Sequence, residues 1–430
     1  MTSALPCRAL ALLPLLLSAC GGGGDSSYTL GGTVSGLSSS GLVLSGAGQT
    51  VAVAAGATGF TFGAPVSGDY TVAVQSQPVG QTCAVSNASG SLSGDVTSVA
   101  VVCRDYMAYA GNAGGFSIGQ FSVASGSGVL TRQGALATTA PVAGLVFSSD
   151  GRFAYASYAN DAAVSAFAVS SSGALSLIGS VSAVADSRGL AISPDNTHVY
   201  VTNYTDKTIS QFSVNSSTGA LSALSTAKVN TGSTPQAVTL TANGSYAYAA
   251  NQGDNTVTQY SVGSGGSLTA LGTASVSTGT GGAMPVALVA SPDSASLYVV
   301  AKGSAKVLQY AIGSTGLLTP KSPASVATGA TPLGITMTPA GNCAYVANIA
   351  DGTVSQYIVS AGLLTPLSTA TVAAGVMPTG VAVSPDGTHL YVSNAGDATI
   401  AQYGIGAACA LTSLGTVASG GSAPGAIAVR

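Results

Sequence analysis

Residues 378–406 read PTGVAVSPDGTHLYVSNAGDATIAQYGIG. After Pro378, Thr379 to Ser384 alternates around Val381 and Val383, the period-two spacing of a half-buried strand. Pro385-Asp386-Gly387 is turn chemistry, because proline presets φ, aspartate caps backbone N–H groups and glycine accepts positive φ. His389 to Ser393 reads as a second strand and Asn394-Ala395-Gly396-Asp397 as a second tight turn. Thr399 to Ile405 is a third strand and Leu411 to Val417 a fourth. Ser419-Gly420-Gly421-Ser422-Ala423 then leads to the next proline, Pro424. Four short strands within roughly 40–50 residues cannot bury both faces alone and need stacked copies of themselves.

The copies are present. Seven times, a Tyr is followed 12 residues later by a second aromatic: Tyr109/Phe121, Tyr155/Phe167, Tyr200/Phe212, Tyr248/Tyr260, Tyr298/Tyr310, Tyr345/Tyr357 and Tyr391/Tyr403. The leading tyrosines are 46, 45, 48, 50, 47 and 46 residues apart. A Gln precedes the second aromatic in six copies, and an Asp follows the first Tyr by six residues in five. Four strands per unit at this period predict a β-propeller of seven blades over 106–430. The chain ends on Pro424-Gly425-Ala426-Ile427-Ala428-Val429-Arg430, an innermost strand with no blade after it, while the first copy lacks one. Strand 424–430 is therefore expected to complete the blade built from 106–136, closing the ring and removing two open sheet edges.

Tyr200-Val201-Thr202-Asn203 is the signature of YVTN-repeat propellers, with close variants at Tyr248, Tyr345 and Tyr391. The chain resembles that family over 106–430. The resemblance implies a lactonase-like seven-bladed propeller, related to 6-phosphogluconolactonase-like enzymes. It does not by itself imply a reaction, since propellers host many functions. An outer-membrane barrel would need longer strands with aromatic girdles, and the chain has no Trp.

Residues 28–103 lack the ruler. Alternating runs at Tyr28–Val34, Gly41–Leu44, Thr50–Val53, Phe60–Phe62, Tyr70–Val74 and Val96–Val102 predict a small antiparallel β-sandwich, with the junction at Arg104 and Asp105. Ahead of it, Arg8 and the short apolar run Ala9 to Leu17 read as a secretory leader over 1–19, too short to span a bilayer. Leu17-Ser18-Ala19-Cys20 resembles the bacterial lipobox, which implies a lipid on Cys20, a Gly/Ser-rich tether over 20–27, and an outer-membrane lipoprotein facing periplasm or cell surface.

An exported chain with an even set of further cysteines favours disulfides. Cys83 and Cys103 close a loop inside the small domain. Cys343 and Cys409 lie in neighbouring blades, on connections that emerge on one face. No CxxC spacing or histidine cluster suggests a metal or redox site, and nothing in the chain calls for a cofactor.

Only 25 residues are charged, 11 Lys+Arg and 14 Asp+Glu, and all the acids are Asp. Scattered basic residues and a net charge of -3 exclude an electrostatic nucleic-acid binder. The tyrosine ladder is expected to pack blade on blade, the Asp six residues on to cap its own turn, and His198 and His389 to be strand-surface residues. Lactone hydrolysis needs a base and an oxyanion stabiliser. With no Glu and two separated histidines, no catalytic pair stands out, and no lactonase turnover is expected.

One position breaks the repeat. Arg188 stands where other copies carry Gln236, Val286, Leu333 and Thr379, at the mouth of the central channel. Nearby turns carry Tyr158, Asn160, Asn203 and Tyr204. This set is the candidate binding site, suited to an anionic or carbohydrate ligand. The sequence reading therefore favours a non-catalytic binding or adhesion module, with a carbohydrate, an anionic small molecule or another surface protein as partner and the membrane reached through the lipid anchor. A lactonase-like hydrolase and a purely structural surface protein are the alternatives.

Overall fold

The computed structural model describes residues 27–183, 186–279 and 282–430. The leader, Cys20 and residues 21–26 of the tether lie outside the described residues. Seven four-stranded antiparallel sheets follow one another from residue 107. In the fourth, Pro235–Leu240, Tyr246–Asn251, Thr256–Val262 and Leu268–Ser277 run from the innermost strand outward. Pro424–Val429 pairs antiparallel with Met107–Asn112 and supplies the innermost strand of blade 1. The last strand of the chain thus belongs to the first blade. Blades 2 to 7 begin at Val142, Ser187, Pro235, Pro285, Pro332 and Pro378.

The repeat residues are the joints between blades. Each leading Tyr is buried and donates its hydroxyl to a carbonyl of the next blade: Gly173, Gly219, Gly266, Gly316, Gly362, Cys409 and, from Tyr391, Gly128. Desolvation raises the pKa of these phenols, so they remain donors. The six Gln residues accept a backbone N–H from the next blade's outermost strand, as Gln211 does from Leu268 at 2.6 Å. From blade 4 onward the second aromatic is Tyr, and its hydroxyl reaches back to the preceding blade, as Tyr260 does to Asn230 O at 2.7 Å. Burial pushes these second phenols up to about 12.

The residue two before each leading Tyr packs on the same glycine turn of the next blade. There is no room for a Cβ at Gly173 against Met107, Gly219 against Phe153, Gly266 against His198, Gly316 against Tyr246 or Gly128 against His389. Both histidines are therefore joint residues rather than plain strand-surface ones. At the sixth joint this position is Cys343, bonded to Cys409, which takes the glycine's place in the turn with φ of 65°.

The repeated Asp departs from the expectation that it serves only its own turn. Asp254, Asp351 and Asp397 accept the backbone N–H of Ser233, Ala330 and Val376 in the loop leading into their own blade. The residue just before the innermost strand's Pro (Thr234, Met284, Thr331, Met377 and Ala423) sits at a φ of 48–55°. A non-glycine residue in that region is held by its surroundings, and in the loops of Thr234, Thr331 and Met377 this carboxylate is one of the holds.

Residues ahead of the propeller form two further four-stranded sheets over one core that includes Leu30, Leu44, Phe60, Phe62, Val72, Val99 and Val101. They are not purely antiparallel. Leu30–Ser35 runs parallel to Val96–Asp105, a long strand that carries the chain straight into blade 1. Gln81–Ser86 and Ser89–Ser91 are strands beyond the six runs read from the sequence. Cys83 and Cys103 face each other across adjacent strands and are bonded.

Candidate functional site

The innermost strands surround the channel, and its two ends differ. Arg188 is the second residue of the strand Ser187–Ile192, so it marks the end where the lead-in loops and the second turns gather. Its Nε is 2.9 Å from Asp186 Oδ1, and its guanidinium sits over the Tyr204 ring at 5.0 Å. Those two atoms are buried and make no aligned hydrogen bond, so charge holds the pair. The side chains keep 35% and 17% of their exposure, which leaves them open to a ligand. Asp186 stands at a φ of 63°, and its carbonyl accepts the Tyr204 N–H at 3.1 Å, which fixes the loop against the Tyr204 turn. Beside them, Gln236 donates to Gln252 at 2.5 Å.

Of the five residues placed at this mouth from the sequence, Arg188 and Tyr204 come together. Asn160 is an exposed turn residue with φ of 63°. Two are corrected by burial. Tyr158 is 2% exposed, packed in the core with Val142 and Ile118 and bonded to Ser165. Asn203 is fully buried, and its amide donates to Thr208 and Ser210 at 2.9 Å. Asn251, Asn348 and Asn394 hold the following strand in the same way, so this Asn belongs to the blade rather than the site. Asp186 was missed, although a signal existed. Each other Asp of the propeller belongs to one of the two repeat turns, and Asp186 belongs to neither.

The opposite end of the channel holds a cavity of about 700 Å³. Its walls are the ends of the innermost strands, among them Leu145, Leu190, Val238, Leu288 and Val381, with Arg430 and with Thr82 of the N-terminal unit. No group of three or more His, Cys, Asp or Glu side chains able to hold a metal occurs among the described residues.

The sequence matches a family model described as Lactonase, 7-bladed beta-propeller, over residues 116–234 and 282–430. No curated protein matches it. Solved structures similar to the chain include one from Bacteroides fragilis described provisionally as a 6-phosphogluconolactonase. That one is 20% identical, with 76% of this chain and 98% of that chain covered at a TM-score of 0.66. The periplasmic gluconolactonase of Pseudomonas aeruginosa is 18% identical, with 75% and 98% covered at 0.66. A Lactobacillus plantarum protein is 19% identical, with 76% and 99% covered at 0.67. At these identities the structures share the fold. At the level of family, the comparisons back a lactonase-like protein over a non-catalytic adhesion module.

Proposed function

The chain belongs to the seven-bladed β-propeller lactonase family, and from that footing we propose that it processes lactones at the Arg188 mouth of the channel. The observation that carries this reading is the Asp186–Arg188 pair, a carboxylate and a guanidinium outside the repeat pattern and 2.9 Å apart. Lactone opening needs a base for water and a positive group for the developing oxyanion. Asp186 takes a proton from water as the water oxygen bonds to the carbonyl carbon. Arg188 meets the oxyanion. The ring C–O bond then breaks, and the leaving oxygen takes the proton back. The neighbours described as gluconolactonases make sugar lactones the first substrates to try.

Purified protein is assayed on aldonolactones with and without a phosphate group. Turnover above the uncatalysed rate that falls roughly 100-fold or more in Asp186→Asn and in Arg188→Ala supports the proposal. Turnover indifferent to both changes, or none at all, overturns it. A second reading has its own observation: His198 and His389 are committed to joints. That leaves Asp186, outside the repeat turns and already engaged by Arg188, as the base. Saturable lactone or carbohydrate binding without turnover, lost in Arg188→Ala, establishes a binding module. Neither binding nor turnover leaves a structural surface protein.

We also propose that the chain is exported and lipid-anchored through Cys20, with 28–103 as a small sandwich ahead of the propeller at 106–430. The two disulfides are in keeping with an oxidising compartment. Cys20→Ser is expected to move the protein from the membrane to the soluble fraction. A wild-type protein carrying no lipid by mass spectrometry rejects the anchor.

A further inference from the structure

Arg430 lines the cavity at the far end of the channel, and Arg104, from a distant stretch of chain, lies beside it across Gly151, which also lines the cavity. Arg430, 8% exposed, donates from Nε to the Tyr109 hydroxyl at 3.1 Å, and its Nη2 has no partner. Arg104, at the junction with the N-terminal unit, reaches only the Val169 carbonyl, at 3.4 Å. Both lie against Gly151. Arg152 is nearby, but it is satisfied by Asp150 at 2.6 Å and by the Ser216 carbonyl. Asp150 is also bound by the Ser148 hydroxyl. No side-chain carboxylate lies within ion-pair distance of Arg104 or Arg430 among the described residues. Burial and then the charge of Arg430 lower the pKa of the Arg104 guanidinium, against a smaller opposing pull from Asp150. Two partly desolvated like charges beside each other, one with an unsatisfied N–H, are costly unless an anion joins them.

The cavity has the size of a small-molecule site. Its aliphatic ring suits an apolar body, and the guanidinium groups suit a carboxylate, which they grip through charge-assisted bonds. We propose that this end of the channel binds a small aliphatic carboxylate, with its head at Arg430 and Arg104 and its chain against the strand ends. The site lies at the other end of the innermost strands from Arg188 and is independent of the reaction proposed there.

The probe is octanoate, titrated calorimetrically into the whole protein, with 1-octanol as the uncharged control. Octanoate is expected to bind and octanol to bind at least roughly tenfold more weakly, the scale of one lost charge-assisted bond. Arg430→Gln is expected to weaken octanoate similarly. If Arg430→Gln does not fold, Arg104→Gln, away from the closing strand, gives the same direction. Arg188→Ala is expected to leave octanoate binding unchanged, so failure of the reading at the other mouth remains distinguishable. Equal affinity for octanol and octanoate, no octanoate binding by the wild type, or binding unchanged in Arg104→Gln overturns the proposal.

Discussion

Blade 7 is fastened on its two sides by different chemistry in the same positions. Toward blade 6, Cys343 and Cys409 are bonded, Tyr345 donates to Cys409 O at 2.9 Å, and Gln356 accepts from Leu411 at 2.7 Å. Toward blade 1, His389 lies on Gly128, Tyr391 donates to Gly128 O at 2.7 Å, and Gln402 accepts from Leu130 at 2.6 Å. The covalent bond is in the joint whose partners are 66 residues apart, whereas the Tyr391 contact spans 263. The long-range joint is secured by topology instead. Pro424–Val429 follows blade 7 directly, belongs to blade 1, and its Gly425 carbonyl accepts from Ser393 of blade 7 at 2.8 Å. A shared sheet and a disulfide are thus two solutions to opening of the ring.

Removing one solution at a time tests that view. Deleting residues 424–430 strips blade 1 of its inner strand and opens two sheet edges, so the propeller's melting temperature is expected to fall by on the order of 10 °C or more. Deleting 21–27 is the control, with no shift expected. If both truncations melt alike in calorimetry, the shared sheet does not hold the seam.

The disulfide comes next. Cys343→Ser with Cys409→Gly rebuilds the joint of blades 5 and 6, where Ser296 and Gly362 occupy these positions. This double change is expected to cost about 2–4 kcal/mol, read from denaturant melts. Wild type with reductant should approach the double variant. If the double variant is as stable as wild type, a Ser on a Gly secures this joint as well as the bridge. Tyr391→Phe is smaller again. It leaves the Gly128 carbonyl without its donor and is expected to cost roughly 1–2 kcal/mol. An unchanged melt would mean that the hydroxyl is incidental to the seam.

These joints also show what was legible in the sequence. The aromatic ruler and the orphan strand at Pro424 spell out seven blades and the place where the ring closes, because blade packing demands the same side chain at the same depth each time. The receiving half of each joint is hidden. The acceptors are backbone carbonyls in glycine turns, and a carbonyl has no letter in the sequence. For that reason the histidines read as surface residues and the Asp as a cap of its own turn. The site was legible only where it departs from the repeat, at Arg188. Tyr158 and Asn203 seemed part of it because the second turn is near the mouth, but the strand alternation points them into the blade stack. The cluster of Arg104, Arg152 and Arg430 carries no spacing at all, since closure of the ring is what brings the last residue beside the first blade.

The smallest effect separates the two joints by pH. Burial depresses His389 below its ordinary value of 6.5, against an opposing pull from Asp386 and from the Ser127 backbone. Its Nδ1 is 2.8 Å from the Thr388 hydroxyl, which in turn donates to Asp386. From blade 1, the ring meets the backbone of the Ser127–Gly128 turn. The folded protein therefore binds this proton less readily than the unfolded chain. Its contribution is present above the unfolded-state pKa and is lost as pH falls through the lower folded value. The seam should weaken as pH falls below the ordinary histidine value of 6.5, whereas the bridged joint has no titrating group at the matching position. His389→Phe copies blade 2, where Phe153 lies on Gly219, and should flatten that part of the stability–pH curve without moving its neutral end much. A curve of the same slope in the variant would place the titration elsewhere, and the seam would then be no more acid-sensitive than the joint closed by Cys343 and Cys409.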